Sequence, residues 1–323
     1  MAHEIFDLRH FTSADLRALL AEETGLWEKR LGWDYSNSAE MVLRYLDARI
    51  LPGYAAVEDG RVRGYAFFVY EGSKGILGDL FVSSEVRPDS PGPVSLESEL
   101  LTHVIETLQQ SPGIHRIEAQ LLPHPTGALV RPFLEAGFHR YVRLFMHVPL
   151  DGAKFGAGFG EGRPPAGGVE IRLWREEDFS SAAAVIMAAY RAHVDAEIND
   201  QYRSTAGSLR FLNNIVRFPG CGVFDPEASF VAVDRPTGLM LGLVLCSRVR
   251  GDTGHITQVC LAPDARGQGT GKALLAASYA SLQRRRFKAL TLTVTEANKP
   301  AVELYRRLGF TVEHVFDAFV WEG

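Results

Sequence analysis

Between residues 151 and 168 the chain carries seven glycines and two adjacent prolines, and nothing else in the sequence limits its architecture as strongly. Gly152, Gly156, Gly158, Gly160, Gly162, Gly167 and Gly168 surround Pro164 and Pro165. Glycine widens the backbone's freedom and proline removes a donor, so the run continues neither a helix nor a central strand and reads as a linker. A long surface loop inside one domain is the alternative, but structureless loops of this length are uncommon in compact domains. The expected division is residues 1–150, a linker at 151–168, and residues 169–323, each half being of ordinary domain size. Hydrophobic residues at 46% against 23% charged give both halves enough apolar surface for a core.

The halves follow a common programme. After the linker, 169–173 reads as a strand, 176–191 and 208–216 as helices, and 230–234, 240–248 and 255–261 as strands. A glycine-rich turn follows, then a helix at 272–286, a strand at 289–295, a short helix at 301–308 and a last strand at 310–320. In the first half, 61–70 and 76–82 read as strands, 96–109 as a helix and 114–121 as a strand. The stretch from Ala128 through Gly137 to Phe138 lays without a gap on the stretch ending at Gly309 and Phe310. The order implies a duplicated α/β (α+β) fold, each copy a mixed sheet flanked by helices. Convergent turn chemistry is the alternative, because residue identity is low.

A formal net charge of -5 gives no reason to expect nucleic acid or an anionic membrane as a partner. The longest apolar run, 239–246, is too short to span a bilayer, and the N-terminus lacks a basic region followed by an apolar one, so a cytoplasmic location is expected. Cys221, Cys246 and Cys260 lie in no metal-ligand spacing; neither zinc nor a structural disulfide is expected.

The chemistry concentrates in Val259-Cys260-Leu261-Ala-Pro-Asp-Ala-Arg266-Gly267-Gln268-Gly269-Thr270-Gly271 and the helix that follows. A glycine-rich turn between strand and helix lets backbone N–H groups point at an anion, and the helix dipole favours negative charge there. A tight strand-to-helix connection with no ligand has the same composition. The spacing is not that of a nucleoside-triphosphate loop, and no acidic residue stands about twenty positions on, as a dinucleotide fold requires.

Two segments together are more specific. The Arg266–Gly271 turn, followed some thirty residues later by Asn298-Lys-Pro-Ala-Val-Glu-Leu-Tyr305-Arg-Arg-Leu-Gly309-Phe310, resembles the acetyl-CoA loop and second motif of the GCN5-related N-acetyltransferase (GNAT) superfamily. The resemblance is good over 169–323 and holds only in outline before it. It implies tandem GNAT-like domains, with acetyl-CoA as cosubstrate and direct acetyl transfer to a primary amine. It implies that the main chain at Val259, Cys260 and Leu261 lines the pantetheine arm, that Arg266 to Gly271 hold the pyrophosphate, and that Asn298 binds nearby or simply caps a helix. Tyr305 would protonate the departing thiolate. Counting back four residues from Val259 reaches His255, at the position where related enzymes place a basic glutamate; a structural histidine is the competing reading. His193, Asp195, Glu197, Asp200 and Glu296 are further candidates for the base.

The first half departs from the motif. Its counterpart to the glycine turn, residues 83–93, contains Pro88, Pro91 and Pro93, which supply no N–H, and Phe133 stands where the second half has Tyr305. That half would keep the fold without cofactor chemistry, and could close over the acceptor site, form a homodimer contact or stabilise its partner. The competing functional class is an acetyl-CoA-binding regulatory module without turnover. Longer acyl donors and the identity of the acceptor are left open.

Overall fold

The protein is described by a computed structural model covering residues 3–85, 95–150, 168–217 and 222–323. The expected linker falls outside these residues except for Gly168, as do Pro88, Pro91, Pro93 and Cys221. The compact units are drawn differently from the contiguous halves read from the sequence. One comprises 1–143 with 315–323, and the other 144–314.

In the first unit, β1 (Glu4–Asp7), α1 (Ser13–Leu31) and α2 (Ser36–Asp47) precede β2 (Gly53–Glu58), β3 (Arg61–Glu71) and β4 (Lys74–Val82). Then come α3 (Leu96–Gln110), β5 (Arg116–Gln120) and α4 (Val130–Glu135). Thr12 and Asp15 form a capping box at the start of α1, and Gly32, at φ +66, ends it. The sheet runs β1-β2-β3-β4-β5. The chain's last strand adds to it: Ala318–Glu322 pair antiparallel with Gln120–Arg116, which is why residues 315–323 belong to this unit. α3 packs Leu100, Leu101, Val104 and Leu108 on one face of the sheet, with Phe133 stacked on Phe319 at 4.0 Å. α1 and α2 cover the residues pointing the other way, Ala55, Tyr65 and Phe81.

The core beside α1 holds an acid. Glu23 is 1% exposed, accepts from Tyr65 at 2.5 Å and Trp27 at 3.2 Å, and lies beside Asp79. Burial, followed by the Asp79 carboxylate, holds its carboxyl well above the usual range. The folded state therefore binds a proton that the unfolded chain has released, and stability falls as pH rises past the ordinary glutamate value of 4.5. The unfolding midpoint should drop as pH rises above about 5, and Glu23→Gln should flatten that drop; parallel wild-type and variant slopes in thermal melts would contradict this.

The second unit opens with residues 144–149 of β6 (His139–Pro149), which border β12 (Ala289–Thr295). From β12 the sheet continues to β11 (Thr253–Leu261), β10 (Met240–Arg250), β9 (Phe230–Asp234) and β7 (Val169–Leu173), with the two-residue β8 (Val223–Phe224) on β10. The helices are α5 (Phe179–Tyr190), α6 (Val194–Ile198), α7 (Thr205–Arg217), α8 (Thr270–Arg284) and α9 (Lys299–Arg307). α5 lays Ala182, Ala183, Val185 and Ile186 on Leu243, Leu245 and Cys260 of the sheet. The helix expected over 176–191 starts later, because the Asp178 carboxylate accepts the Arg175 N–H at 2.8 Å and is gripped by Arg172, closing a separate short turn over Glu176–Asp178. The α/β class with mixed sheets flanked by helices is as expected.

The two units repeat one distortion. In the first, β4 and β5 run parallel from Lys74/Arg116 to Leu77/Ala119 and then part, while β4 continues to Val82. In the second, β11 and β12 run parallel from Thr253/Ala289 to Ile256/Leu292 and part, while β11 continues to Leu261. The next residue is bulged in both: Gly78 is skipped between the pairs Phe67/Asp79 and Phe68/Leu77, and Thr257 between Leu245/Gln258 and Cys246/Ile256. A bulge adds one unpaired residue and bends its strand, so each β4-type strand leaves its parallel neighbour at the same register. The shared defect ties the units together better than their residue identity does.

Candidate active site

Where β11 leaves β12, the second unit opens a cavity of about 510 Å³. One wall is the freed stretch of β11 from Thr257 to Leu261; the facing wall is Thr293 and Val294 of β12 with Leu304 and Tyr305 of α9. Arg266, Gly267 and Gly271 line one part of the cavity, and Tyr190, His193 and Asp195, from the end of α5 into α6, another.

Gly267 and Gly269 have φ +75 and +82, the left-handed region that L side chains avoid, and a Cβ at either would meet nothing within 4 Å. Glycine is needed there for backbone shape, and the space around both positions is open. Gly269 is the N-cap of α8, and no side chain caps that end. The first N–H groups of an uncapped helix have no intrahelical acceptor, so this turn fits a pyrophosphate. Gly269→Val forces a β-branched residue into the left-handed region at about 1–2 kcal/mol or more. It should weaken acetyl-CoA binding roughly tenfold in titration calorimetry with a small loss of melting temperature; unchanged affinity would remove the loop from the site.

Arg266, expected on the pyrophosphate, donates from Nη2 to the Ala189 carbonyl at 2.7 Å and so braces the last turn of α5. Gln268 turns back to the Asp264 carbonyl at 3.0 Å. Asn298 accepts the Ala301 N–H at 3.4 Å, with Pro300 in the first turn, and caps α9 while lining the cavity. Cys260 also lines it, but burial pushes its thiol up to about 12, which leaves it un-ionised.

Tyr305 is 7% exposed, with its ring edge-on to Phe310 at 5.9 Å. Burial above all, then the nearby Asp195 carboxylate and Cys260, hold its phenol above the ordinary tyrosine value, so it keeps its proton at neutral pH. Asp195, near the start of α6, accepts a short hydrogen bond from the Thr295 hydroxyl. His193 caps α6, its Nδ1 accepting the Asp195 N–H at 3.1 Å. In the neutral ring the proton then sits on Nε2, which makes His193 a donor rather than a base on its remaining side.

The structure does not bring His255 to the cavity. It is buried against Phe145, ring centroids 6.1 Å apart, and its Nδ1 bonds Thr291 at 2.9 Å. Burial pulls its pKa down to about 3, so it is a poor proton acceptor. Glu197 lies outside the cavity lining and pairs with Arg203, Glu296 pairs with Lys299, and Asp200 also lies outside the lining. Of the proposed bases, Asp195 and His193 reach the cavity.

Two residues that the sequence reading passed over also line it. Tyr190 stacks on Tyr202, centroids 4.3 Å apart, and donates to Gln258 Oε1 at 3.2 Å. Both sit at ordinary core positions in the sequence pattern, and only their meeting across 68 residues marks them. In the first unit the equivalent opening is bridged: His124 Nε2 lies 2.9 Å from the Leu80 carbonyl, Leu80 being two residues past its bulge as Val259 is past Thr257. Phe133, opposite Tyr305 in the repeat, is fully buried in the core.

Residues 192–310 match the family model described as the acetyltransferase (GNAT) family, and this part of the chain is a GNAT acetyltransferase domain. A mycothiol acetyltransferase of Arthrobacter sp. (strain FB24) is 42% identical over 93 residues, covering 27% of this chain and 28% of that protein. One from Thermobifida fusca (strain YX) is 38% identical over 96 residues, covering 27% and 29%. The chain thus matches less than a third of the length of these relatives. Among solved structures, a GCN5-related N-acetyltransferase from Sphaerobacter thermophilus aligns with TM-score 0.67 and 20% identity, covering 99% of this chain and 95% of that one. A tandem GNAT protein from the clavulanic acid biosynthesis pathway aligns with TM-score 0.61 and 15% identity, covering 99% and 98%. At such identities the likeness establishes the fold, here a tandem GNAT fold across the chain. Among the described residues no helix is long and apolar enough to cross a membrane, and no group of three His, Cys, Asp or Glu is placed to hold a metal.

Proposed function

We propose that the GNAT domain at 192–310 moves an acetyl group directly from acetyl-CoA to a primary amine of a small molecule. The observation that carries the reading is the convergence on one cavity of an uncapped glycine turn, a freed β-strand edge, a protonated phenol and a carboxylate. The turn and the α8 N-terminus would hold the pyrophosphate, and the main chain of Val259 and Leu261 the pantetheine arm. These are backbone contacts that tolerate many side chains.

Asp195 takes the proton from the acceptor's ammonium. The amine nitrogen attacks the thioester carbonyl, a C–N bond forms, and the C–S bond breaks. Tyr305 protonates the departing sulfur, its phenolate takes the second proton from the newly acylated nitrogen, and Asp195 gives up the first to solvent. Tyr305 carries the proton its task needs before reaction begins. The names of the relatives favour a small-molecule acceptor over a peptide.

The test is thiol release from acetyl-CoA across a panel of amino sugars, polyamines, amino acids and peptides. Release that depends on one class of amine supports transfer. Saturable acetyl-CoA binding with no amine-dependent release across the panel would favour a binding module instead.

A further inference from the structure

Acyl transfer changes the charge at three atoms: the amine loses a proton, the sulfur gains one, and the carbonyl oxygen becomes an oxyanion. Asp195 and Tyr305 answer the first two. The third calls for a hydrogen-bond donor aimed into the cavity and not already engaged.

Gln258 lies on this cavity with donor capacity to spare. Its side chain lines the cavity, the residue is only 4% exposed, and its Nε2 is buried without a hydrogen-bond partner. Leaving an amide N–H unpaired in the interior is costly, so such an atom in a native fold needs a reason. Other buried side-chain donors among the described residues also lack partners, including those of Thr270, Ser278 and Arg285, but none of them lines this cavity. The carboxamide is held from its far end: the Tyr190 hydroxyl donates to Oε1, and Tyr190 is itself stacked on Tyr202. With Oε1 held by the Tyr190 hydroxyl, the carboxamide is turned so that Nε2, which carries both of its N–H donors, is the end left to act. The position is also fixed by the fold, since Gln258 directly follows the bulge at Thr257 where β11 parts from β12. Cys260, two residues on along the same face, also lines the cavity, and its thiol has a weak side-chain contact with Gln258 that engages at most one of the two amide N–H groups.

We propose that the Gln258 carboxamide, oriented by Tyr190, donates its free N–H to the thioester carbonyl of acetyl-CoA and stabilises the oxyanion formed during transfer. This rests on the acetyl-transfer reading above. Gln258 is then a catalytic residue, and Tyr190 a positioning residue acting through it.

A readout without turnover tests it. The carbonyl stretch of isotope-labelled acetyl-CoA bound to the wild-type chain should lie at lower frequency than in water, and the Gln258→Leu variant should return it toward the water value. Calorimetry on the same samples establishes that both bind acetyl-CoA. Thiol release to hydroxylamine, a nucleophile small enough for any acceptor site, should fall about 100-fold in turnover with less than about a threefold change in acetyl-CoA affinity. Gln258→Glu keeps an acceptor for Tyr190 but loses the donor, and should behave alike if the leucine variant misfolds. Tyr190→Phe should give a smaller loss of the same kind. A bound carbonyl frequency unchanged by either Gln258 variant, or turnover within threefold of wild type, overturns the proposal. So does a loss confined to acetyl-CoA affinity. If the wild-type chain binds no acetyl-CoA at all, it is the acetyl-transfer reading that fails.

Discussion

Replacing Tyr305 with phenylalanine is expected to cut the rate of acetyl transfer about 100-fold while acetyl-CoA binds as before. The substitution removes one hydroxyl and keeps the ring, so the edge-on contact with Phe310 survives and the fold has little reason to change. What goes is the proton for the departing thiolate. A 100-fold loss corresponds to about 2.7 kcal/mol of transition-state stabilisation, more than the loss of one neutral hydrogen bond ordinarily costs a fold. Turnover and acetyl-CoA affinity measured separately decide the matter: both within threefold of wild type would take Tyr305 out of the chemistry.

Asp195→Asn should cost about as much at neutral pH, with a different signature. Asparagine can still accept from Thr295 and occupy the start of α6, but it cannot take a proton from an ammonium. The variant would depend on acceptor that arrives already neutral. For an alkyl amine with a pKa near that of lysine, about 10.4, that fraction grows roughly tenfold per pH unit. The deficit should therefore shrink steadily as pH rises toward about 10. A variant whose rate stays a constant fraction of wild type across that range would show that Asp195 binds or shapes the site without accepting the proton.

The parts of this site that were legible in the sequence are those whose chemistry runs through the backbone. An anion-binding turn must be glycine-rich, and Gly267, Gly269 and Gly271 announce it; Tyr305 is legible because it stands a fixed distance beyond, on a helix begun by Asn298 and Pro300. Side chains whose role depends on a distant partner were not legible. His255 occupies a suggestive position, but Phe145 and Thr291 bury it, and nothing local encodes that. Gln258 reads as one more residue of a half-buried strand until Tyr190 is seen to hold it. In the fold, the clear strands and helices of the second unit matched expectation, whereas β1, α1, α2 and β2 went unassigned in the sequence. α1 carries Glu23 among its buried residues, which interrupts the apolar pattern that marks a helix face. The strand pairing that gives residues 315–323 to the first unit was likewise hidden, because register between remote strands leaves no local mark.

On the proposed assignment acetyl-CoA binds only one of the two related folds, and calorimetric titration of the whole chain with acetyl-CoA counts the sites. One equivalent per chain, weakened by Gly269→Val, is the expected result; no binding, or two equivalents, would contradict it.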